Sequence, residues 1–454
     1  MCIRDRYTTG TYGARQNLPD DLRSQFKALL DEGVALVDPA ARHAVYQDFN
    51  QLYFDQAVGV PVALVTSHGY EQKWVEGRVS NPIFSGTYYL PMSKTGGTDP
   101  TTFVDATIGD ALTMDPALSY DTASGEVIQN VYETLVFYDG IATDKFVPQL
   151  AESWTVSDDG TVWTFNIRSG VKFHEGGDLT PSDVAYSFQR GLLQGGYSSP
   201  QWLLAEPFFG VGLDDITGLV DDFASADDRE TLMANDPAVL VAACDKVKAA
   251  IVADDAAGTV TMTLAQAWGP FLATIANGWG SVMDKEWVIE QGGWDGTCET
   301  WQNTYAMTDA ENIFTTLANG TGAFKLDHWT QGQEIVLVKN DAYWGAPAKL
   351  DRVVIQIIPE FGTRFAMLQA GEADTIDVPT EMRPQVDPMV GEIAVYDAAS
   401  NSYKAPEPVC SVDTDKLGIE RFEICTTPSD KPLRLYFGRP GLSQDVILFN
   451  FLIQ

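Results

Sequence analysis

Residues 151–176, AESWTVSDDGTVWTFNIRSGVKFHEG, constrain this chain more than any other stretch. Trp154 and Val156 alternate with polar neighbours, and Trp163, Phe165 and Ile167 do the same after Asp159-Gly160. Period-two alternation on both sides of an Asp-Gly step describes two strands joined by a tight turn, each with one apolar face. Gly170 interrupts the pattern, and Val171 and Phe173 resume it. A helix start follows at once, with Thr180 as cap, Pro181 in the first turn and Asp183 three residues after the cap. Val184, Phe188 and Leu192 then recur at a four-residue interval, as one buried helical stripe requires. The unit is a hairpin docked beside a helix, and no catalytic group stands out in it.

The flanking chain mixes both periodicities. Leu22, Phe26 and Leu30 share a helical face over residues 19–30, with Gly33 as the expected stop, and Asp38-Pro39 opens a second helix carrying Val45, Phe49 and Leu52. Val60, Val62 and Leu64 read as a strand, and residues 95–98, Thr-Gly-Gly-Thr, as a linker. Residues 103–108 predict a strand, and Val127, Val131 and Leu135 mark a helix. Asp236-Pro237 opens another helix through Ile251, and residues 259–264 alternate as a strand. Residues 334–339 and 353–358 predict further strands, followed by a helix over 363–370 that stops at Gly371. Strands and helices interleaved in this way predict an α/β fold rather than a bundle or a sandwich. At 454 residues the chain can hold two or three domains.

Charge narrows the function. With 63 acidic against 29 basic residues the net charge is −34, which speaks against nonspecific nucleic-acid binding, since that rests on neutralising phosphates with Lys and Arg. The same excess favours solubility and repels anionic membrane surfaces. The longest apolar run, residues 58–65, is far too short to span a bilayer. Residues 1–6 contain no apolar core of a signal peptide, so Cys2 is not a lipid-anchor cysteine. Cys244, Cys298, Cys410 and Cys425 form no CxxC pair, which disfavours a zinc ribbon or a thioredoxin-type site. Two disulfides, with Cys410 and Cys425 the closer pair, or four buried thiols fit equally.

Motifs for chemistry are scarce. His174-Glu175 lacks the second histidine of a zincin, and neither a GxSxG elbow nor a GxxxxGK[ST] loop occurs. Asn319-Gly320-Thr321-Gly322 is half a dinucleotide fingerprint without its third glycine or its helix. Asp158-Asp159-Gly160 lacks the remaining ligands of a calcium loop and reads as a turn; the acidic stretch 221–229 reads as a solvated loop. The expectation is no catalytic residue, no metal and no cofactor. A carboxylate pair for glycoside or peptide hydrolysis stays as the enzymatic alternative.

Several blocks, in order, resemble the family 5 extracellular solute-binding proteins, which serve peptide and nickel ABC importers. Ala111-Leu-Thr-Met-Asp115-Pro116 looks like the family's early "TLDP" segment and Val131-Tyr132-Glu133-Thr134-Leu135 like its "YE-x-L" helix. Residues 150–176 resemble its most distinctive signature. Gly320-Thr-Gly-Ala-Phe324, Asn340-Asp-Ala-Tyr343-Trp344-Gly345 and Leu368-Gln-Ala-Gly371-Glu372-Ala-Asp374 resemble its later "GTGPY", "N-x-x-YW" and "L-x-x-GE-x-D" blocks. Together they cover residues 102–379. Residues 29–94, in contrast, resemble the family's carboxy-terminal end, placed here in front of its beginning.

This resemblance implies a type II periplasmic-binding-protein-like α/β fold of mixed-sheet lobes, with the second lobe largely missing. It divides the chain into residues 1–6, adapter-derived and non-native; 7–94, the segment like a family carboxy terminus; 95–100, a linker or junction; and 101–454, the first lobe. It implies a non-catalytic receptor that delivers oligo- or dipeptides to the membrane permease of an ABC importer. It also implies a monomer in the periplasm or another extracytoplasmic, envelope-associated place, with no nucleic-acid partner. A nickel- or sugar-binding member is the alternative within the family. In such proteins the ligand lies between two hinged lobes, and closure gains contacts that the open state lacks. The loop after Asp115-Pro116 then lines the cleft, nominating Tyr120, Asp121 and Thr122, and the segment 199–202 adds Gln201 and Trp202. Asn319 and Thr321 lie where the chain passes near the hinge. Thr122 and Asn319 would bond the ligand backbone, and Tyr120 and Trp202 would supply aromatic walls.

Overall fold

The computed structural model describes residues 16–195, 199–211, 216–224, 226, 228–414 and 420–449. The expectation for residues 1–6 lies outside them. Two helices come first, α1 (Asp20–Ala35) and α2 (Pro39–Asp55). Leu22, Phe26 and Leu30 are buried on one face of α1, and the Phe26 ring meets Phe49 of α2 at 5.0 Å. Asp38 caps α2 by accepting from the Ala41 amide at 2.7 Å, satisfying one of the otherwise orphaned donors of a helix start. Gly33 does not stop α1. The helix continues to Ala35, and Gly33 serves as a close-packing point, where a Cβ would come within 3.1 Å of the Tyr46 ring.

Next come β1 (Gly59–Gln72), β2 (Thr102–Thr107) and α3 (Thr122–Val131). The α3 stripe is shorter than its periodicity suggests. Tyr132 leaves the helix in extended conformation, so Leu135 is buried beyond it, ahead of a short strand. The hairpin is formed by β3 (Ala151–Val156) and β4 (Val162–Ile167), with Trp154 opposite Phe165 and Val156 opposite Trp163. Its connection spans residues 157–161 rather than two, because the Asp159 carboxylate gathers the Ser157 and Thr161 hydroxyls, and Gly160 takes φ +74°. Trp163, Phe165 and Ile167 are buried, while Val156 on the first strand faces outward.

Helix α4 (Pro181–Gln194) starts with a full capping box: Asp183 N donates to Thr180 Oγ1, and Thr180 N donates to Asp183 Oδ2. Val184, Phe188 and Leu192 are buried along it, each contributing about 1.5–3 kcal/mol of apolar burial. After α5 (Trp202–Phe209) and α6 (Pro237–Ala250), strands β5 (Ile251–Asp254) and β6 (Thr259–Thr263) complete a four-stranded antiparallel sheet in the order β3-β4-β6-β5. Helix α4 packs on this sheet.

The remaining elements are β7 (Phe324–Thr330), β8 (Glu334–Lys339), β9 (Arg352–Ile357), α7 (Phe361–Ala370), β10 (Thr375–Ile376), β11 (Val390–Asp397), β12 (Glu407–Thr414), β13 (Glu420–Ile424) and β14 (Leu433–Leu448). They join β1 and β2 in an eleven-stranded mixed sheet, whose main path runs β7-β8-β9-β2-β10-β1-β14-β11-β12-β13, with the two-residue strand Ser402–Tyr403 pairing β11 off that path as the eleventh. Strand β2 lies parallel to both β9 and β10, and α7 makes the crossover between those two. The two faces of β2 enter different cores: Phe103 joins the one shared with α3, α4 and the hairpin, and Ala106 the one under α7. The mixed α/β class expected from the sequence is the one observed.

Strand β1 sits inside this sheet, antiparallel to β14. Val75, Tyr89 and Met92 are buried in the larger core, and Lys94 pairs with buried Asp374 at 2.9 Å. Two disulfides are present, Cys244–Cys298 and Cys410–Cys425, each with Cα atoms 5.4 Å apart. Among the described residues, no helix is long and apolar enough to cross a membrane.

Candidate functional site

In open α/β sheets, ligands favour the carboxyl ends of parallel strands, where connections lead the chain away on both sides. Here the parallel trio β9-β2-β10 ends at Ile357, Thr107 and Ile376. A cavity of about 470 Å³ opens beside those ends, within the size range of small-molecule sites. Arg78, Asp105, Thr107, Thr122, Glu126 and Asp377 line it. Thr122 and Glu126 are one turn apart on α3, so both look into the same space.

The charges around the cavity are unbalanced. Arg78 donates through Nε to Glu71 Oε2 at 2.5 Å, and Glu71 is also held by Arg434 at 3.2 Å. Nη2 of Arg78 is buried without a partner among the described residues. Asp377 Oδ2 accepts from Thr107 Oγ1 at 2.9 Å and from the Ile108 amide at 3.4 Å. Glu126 accepts from the Tyr89 hydroxyl, which Asp105 also approaches. Burial and the neighbouring Glu126 charge push the Asp105 carboxyl well above the usual carboxylate range, against the pull of Arg78. Burial also raises Glu126, against the hydrogen bond from Tyr89. For Arg78 the desolvation that disfavours its cation is outweighed by Glu71, so its affinity for the proton rises.

Tyr120, Asp121 and Thr122 come together at the start of α3, beside this cavity. Thr122 lines it, and Asp121 caps the helix by accepting from Ser124 N at 2.8 Å. Tyr120 is 62% exposed, with its ring 6.4 Å from that of Trp279. Gln201 lies behind the same loop: it is buried, its Nε2 reaches the Ala117 carbonyl at 3.4 Å, and Trp202 begins α5 half-buried.

Asn319 and Thr321 sit at the opposite, carboxyl end of α3, fully buried. Asn319 accepts from the Glu175 amide at 3.0 Å and donates to Asp284 at 3.2 Å. Thr321 donates to Glu133 at 2.8 Å. The glycines between and after them are needed for close approach: a Cβ on Gly320 would lie 2.1 Å from the Val131 carbonyl oxygen, and one on Gly322 2.6 Å from that of Asn130. Glu133 also accepts from Tyr343 at 2.8 Å and Trp344 at 2.7 Å, so the blocks at 320–324 and 340–345 meet the 131–135 block on one buried carboxylate. Burial raises the Glu133 carboxyl, partly offset by these donors.

Sequence reasoning missed Arg78, Asp105, Glu126, Asp377 and Trp279. Asp105 did leave a signal, because it shares the Phe103 row of β2, a row that otherwise turns toward the larger core. Glu126 follows Thr122 at helical spacing. Arg78 and Asp377 left none, since only the fold brings them near.

Residues 145–405 match the model of the bacterial extracellular solute-binding proteins, family 5, middle region. Heme-binding protein A of Haemophilus influenzae is 30% identical over 325 residues, covering 67% of this chain and 50% of that protein. The dipeptide-binding protein of Escherichia coli is 28% identical over 268 residues, covering 58% of this chain and 41% of that protein. Among solved structures, the periplasmic binding protein DppA of Helicobacter pylori in complex with the peptide STSA aligns at 26% identity with a TM-score of 0.42, covering 62% of this chain and 47% of that one. The chain thus spans about half the length, or less, of the relatives it matches. With more than half of its residues inside the family match, the chain belongs to the bacterial extracellular solute-binding proteins of family 5, a group of binding proteins rather than enzymes.

Proposed function

We propose that this chain captures a short peptide, or a peptide-like small solute, outside the cytoplasm and presents it to the membrane permease of an ABC importer. The observation that carries this reading is the family match over residues 145–405, joined by a relative named for dipeptide binding. The cavity agrees in size and character, since it offers carboxylates and a guanidinium to a small polar solute. Tyr120, Asp121 and Thr122 would contact the solute directly. Gln201, Trp202, Asn319 and Thr321 would act from one layer behind, holding both ends of α3 in place. Residues 7–94 are, in this reading, the segment equivalent to a family carboxy terminus, and the position of β1 within the large sheet supports it.

A haem reading has one relative in its favour. However, His43, His68, His174 and His328 all lie away from the cavity lining, leaving no imidazole there for an axial bond. Titration calorimetry with di- to pentapeptides, haemin, nickel complexes and oligosaccharides tests the proposal. Peptide heats at micromolar concentration are expected. Saturable binding of another class with no peptide response overturns the reading.

A further inference from the structure

The two disulfides stand in opposite surroundings. Cys244 is fully buried and Cys298 is 7% exposed, both inside the larger core. Cys410 is exposed and Cys425 half-buried. Accessible bridges are the ones that exchange with outside thiols, and buried ones resist. Lys431 Nζ donates to the Cys410 carbonyl at 2.8 Å, so a cation stands beside this bridge in a chain where acidic residues outnumber basic ones. It draws in an attacking thiolate and steadies the thiolate that leaves.

The accessible bridge also holds an element that little else holds. Strand β13 is the last of the large sheet, and among the described residues it pairs with β12 alone. Cys410 lies at a register shift, between the Val409–Ile424 and Ser411–Glu423 pairs, where the ladder is locally interrupted. The covalent link spans that interruption, with its Cα atoms 5.4 Å apart. Beyond it, β13 rests the Phe422 ring on Phe437 at 5.1 Å. Strand β12 is fastened independently: Glu407 and Pro408 pair with β11, and Thr414 donates to Asp387.

We propose that Cys410–Cys425 is a thiol–disulfide exchange site that latches β13, opened by an external dithiol while Cys244–Cys298 stays closed. One thiolate of the dithiol attacks a bridge sulfur, the S–S bond breaks, and the other cysteine leaves as a thiolate that takes up a proton. The second thiol of the reagent then displaces the first cysteine and closes its own disulfide. Two electrons pass from the dithiol to the bridge, and the products are two protein thiols and one oxidised reagent. Opening releases β13 from the sheet edge and leaves β12 and β11 in place. The oxidised reagent closes the latch again by the same steps reversed.

The full folded chain treated with dithiothreitol, quenched with iodoacetamide and digested, yields the labelling rate of each cysteine by mass spectrometry. Cys410 and Cys425 are expected to be labelled about tenfold faster than Cys244 and Cys298, with far-ultraviolet dichroism unchanged. Hydrogen exchange of the selectively reduced protein should then speed up about tenfold over residues 420–424 and keep the oxidised rate over 390–397. The double variant Cys410→Ser with Cys425→Ser should show the fast exchange without reductant. Labelling of all four cysteines at one rate, or of Cys244 and Cys298 first, overturns the exchange site. Exchange over 420–424 as slow in the reduced protein as in the oxidised one, or fast exchange that extends through 390–397, overturns the latch.

Discussion

Replacing Asp115 with alanine should be among the most damaging single changes in this chain. Asp115 is fully buried and Arg190 of α4 is 3% exposed at its side chain. The two form a parallel pair of bonds at 2.9 and 2.6 Å, and Asp115 also accepts from Asn312 at 2.8 Å and from the Ala117 amide at 3.0 Å. Arg190 lies over the Phe314 ring at 5.0 Å, so the guanidinium has no route to water. Removing the carboxylate strands a buried cation, a loss of about 3–5 kcal/mol. Removing both charges while keeping the volume is a milder change, because desolvation had already cancelled much of the Coulomb attraction. Asp115→Leu with Arg190→Met should therefore recover most of that loss. Burial alone would raise the Asp115 carboxyl, yet the charge and hydrogen bonds of Arg190 hold it below the usual range. Its contribution is thus present above the unfolded carboxylate value and is lost as pH falls through the folded one. Urea unfolding followed by circular dichroism measures Asp115→Ala and the double variant, and the single variants Asp115→Leu and Arg190→Met close the double-mutant cycle. An alanine variant within about 1 kcal/mol of wild type, or a double variant as weak as the single, refutes the reasoning.

Further expectations concern the carboxyl end of α3, a buried histidine and a disulfide. Gly320→Ala should cost about 3 kcal/mol, since its Cβ has no room beside the Val131 carbonyl, and chemical denaturation checks it. Glu133→Gln turns one acceptor oxygen into a donor facing Tyr343, Trp344 and Thr321, and should lower stability by about 3 kcal/mol while flattening near-ultraviolet dichroism. Burial holds the His174 imidazole at about 4 instead of 6.5, against its bond to the Gly322 carbonyl. The unfolded chain therefore takes up this proton first. Stability should fall as pH drops from 6.5 towards 4, by up to about 3 kcal/mol, and His174→Gln should remove that part of the slope. Opening the Cys244–Cys298 bridge with Cys244→Ser should lower stability by about 4 kcal/mol in the chain-entropy account, read from unfolding with and without reductant.

Local rules make the hairpin and α4 readable from the amino-acid order alone. Strand alternation, the capping box of Thr180 and Asp183 and the four-residue stripe are all set within a few residues of one another. Gly33 shows where the same rules stop. Its helix-ending tendency is weaker than the tertiary packing against Tyr46, which no window around residue 33 contains. The cavity is hidden for the same reason, since Arg78, Asp105, Glu126 and Asp377 come from four separate segments. Thr122 can be nominated because it follows a recognisable block. Asn319 and Thr321 can be located from their block too, but not the inward direction of their side chains. Cysteine pairing needs geometry as well, because two bridges and free thiols leave the same composition.

The position of β1 bears on how the molecule assembles over time. Arg434 reaches Glu71 across 363 residues of chain, and the ladder around that contact pairs β1 with β14 along its length. On its other side β1 meets β10 at Glu71 alone. A growing chain therefore makes β1 early and must keep it waiting, its backbone donors and acceptors unpaired, until β14 has been synthesised. Closing so long a loop is a late and slow event. During that interval Val60, Val62 and Leu64 form an apolar strand with two open edges, the kind of surface that a holding chaperone protects and that otherwise seeds aggregation.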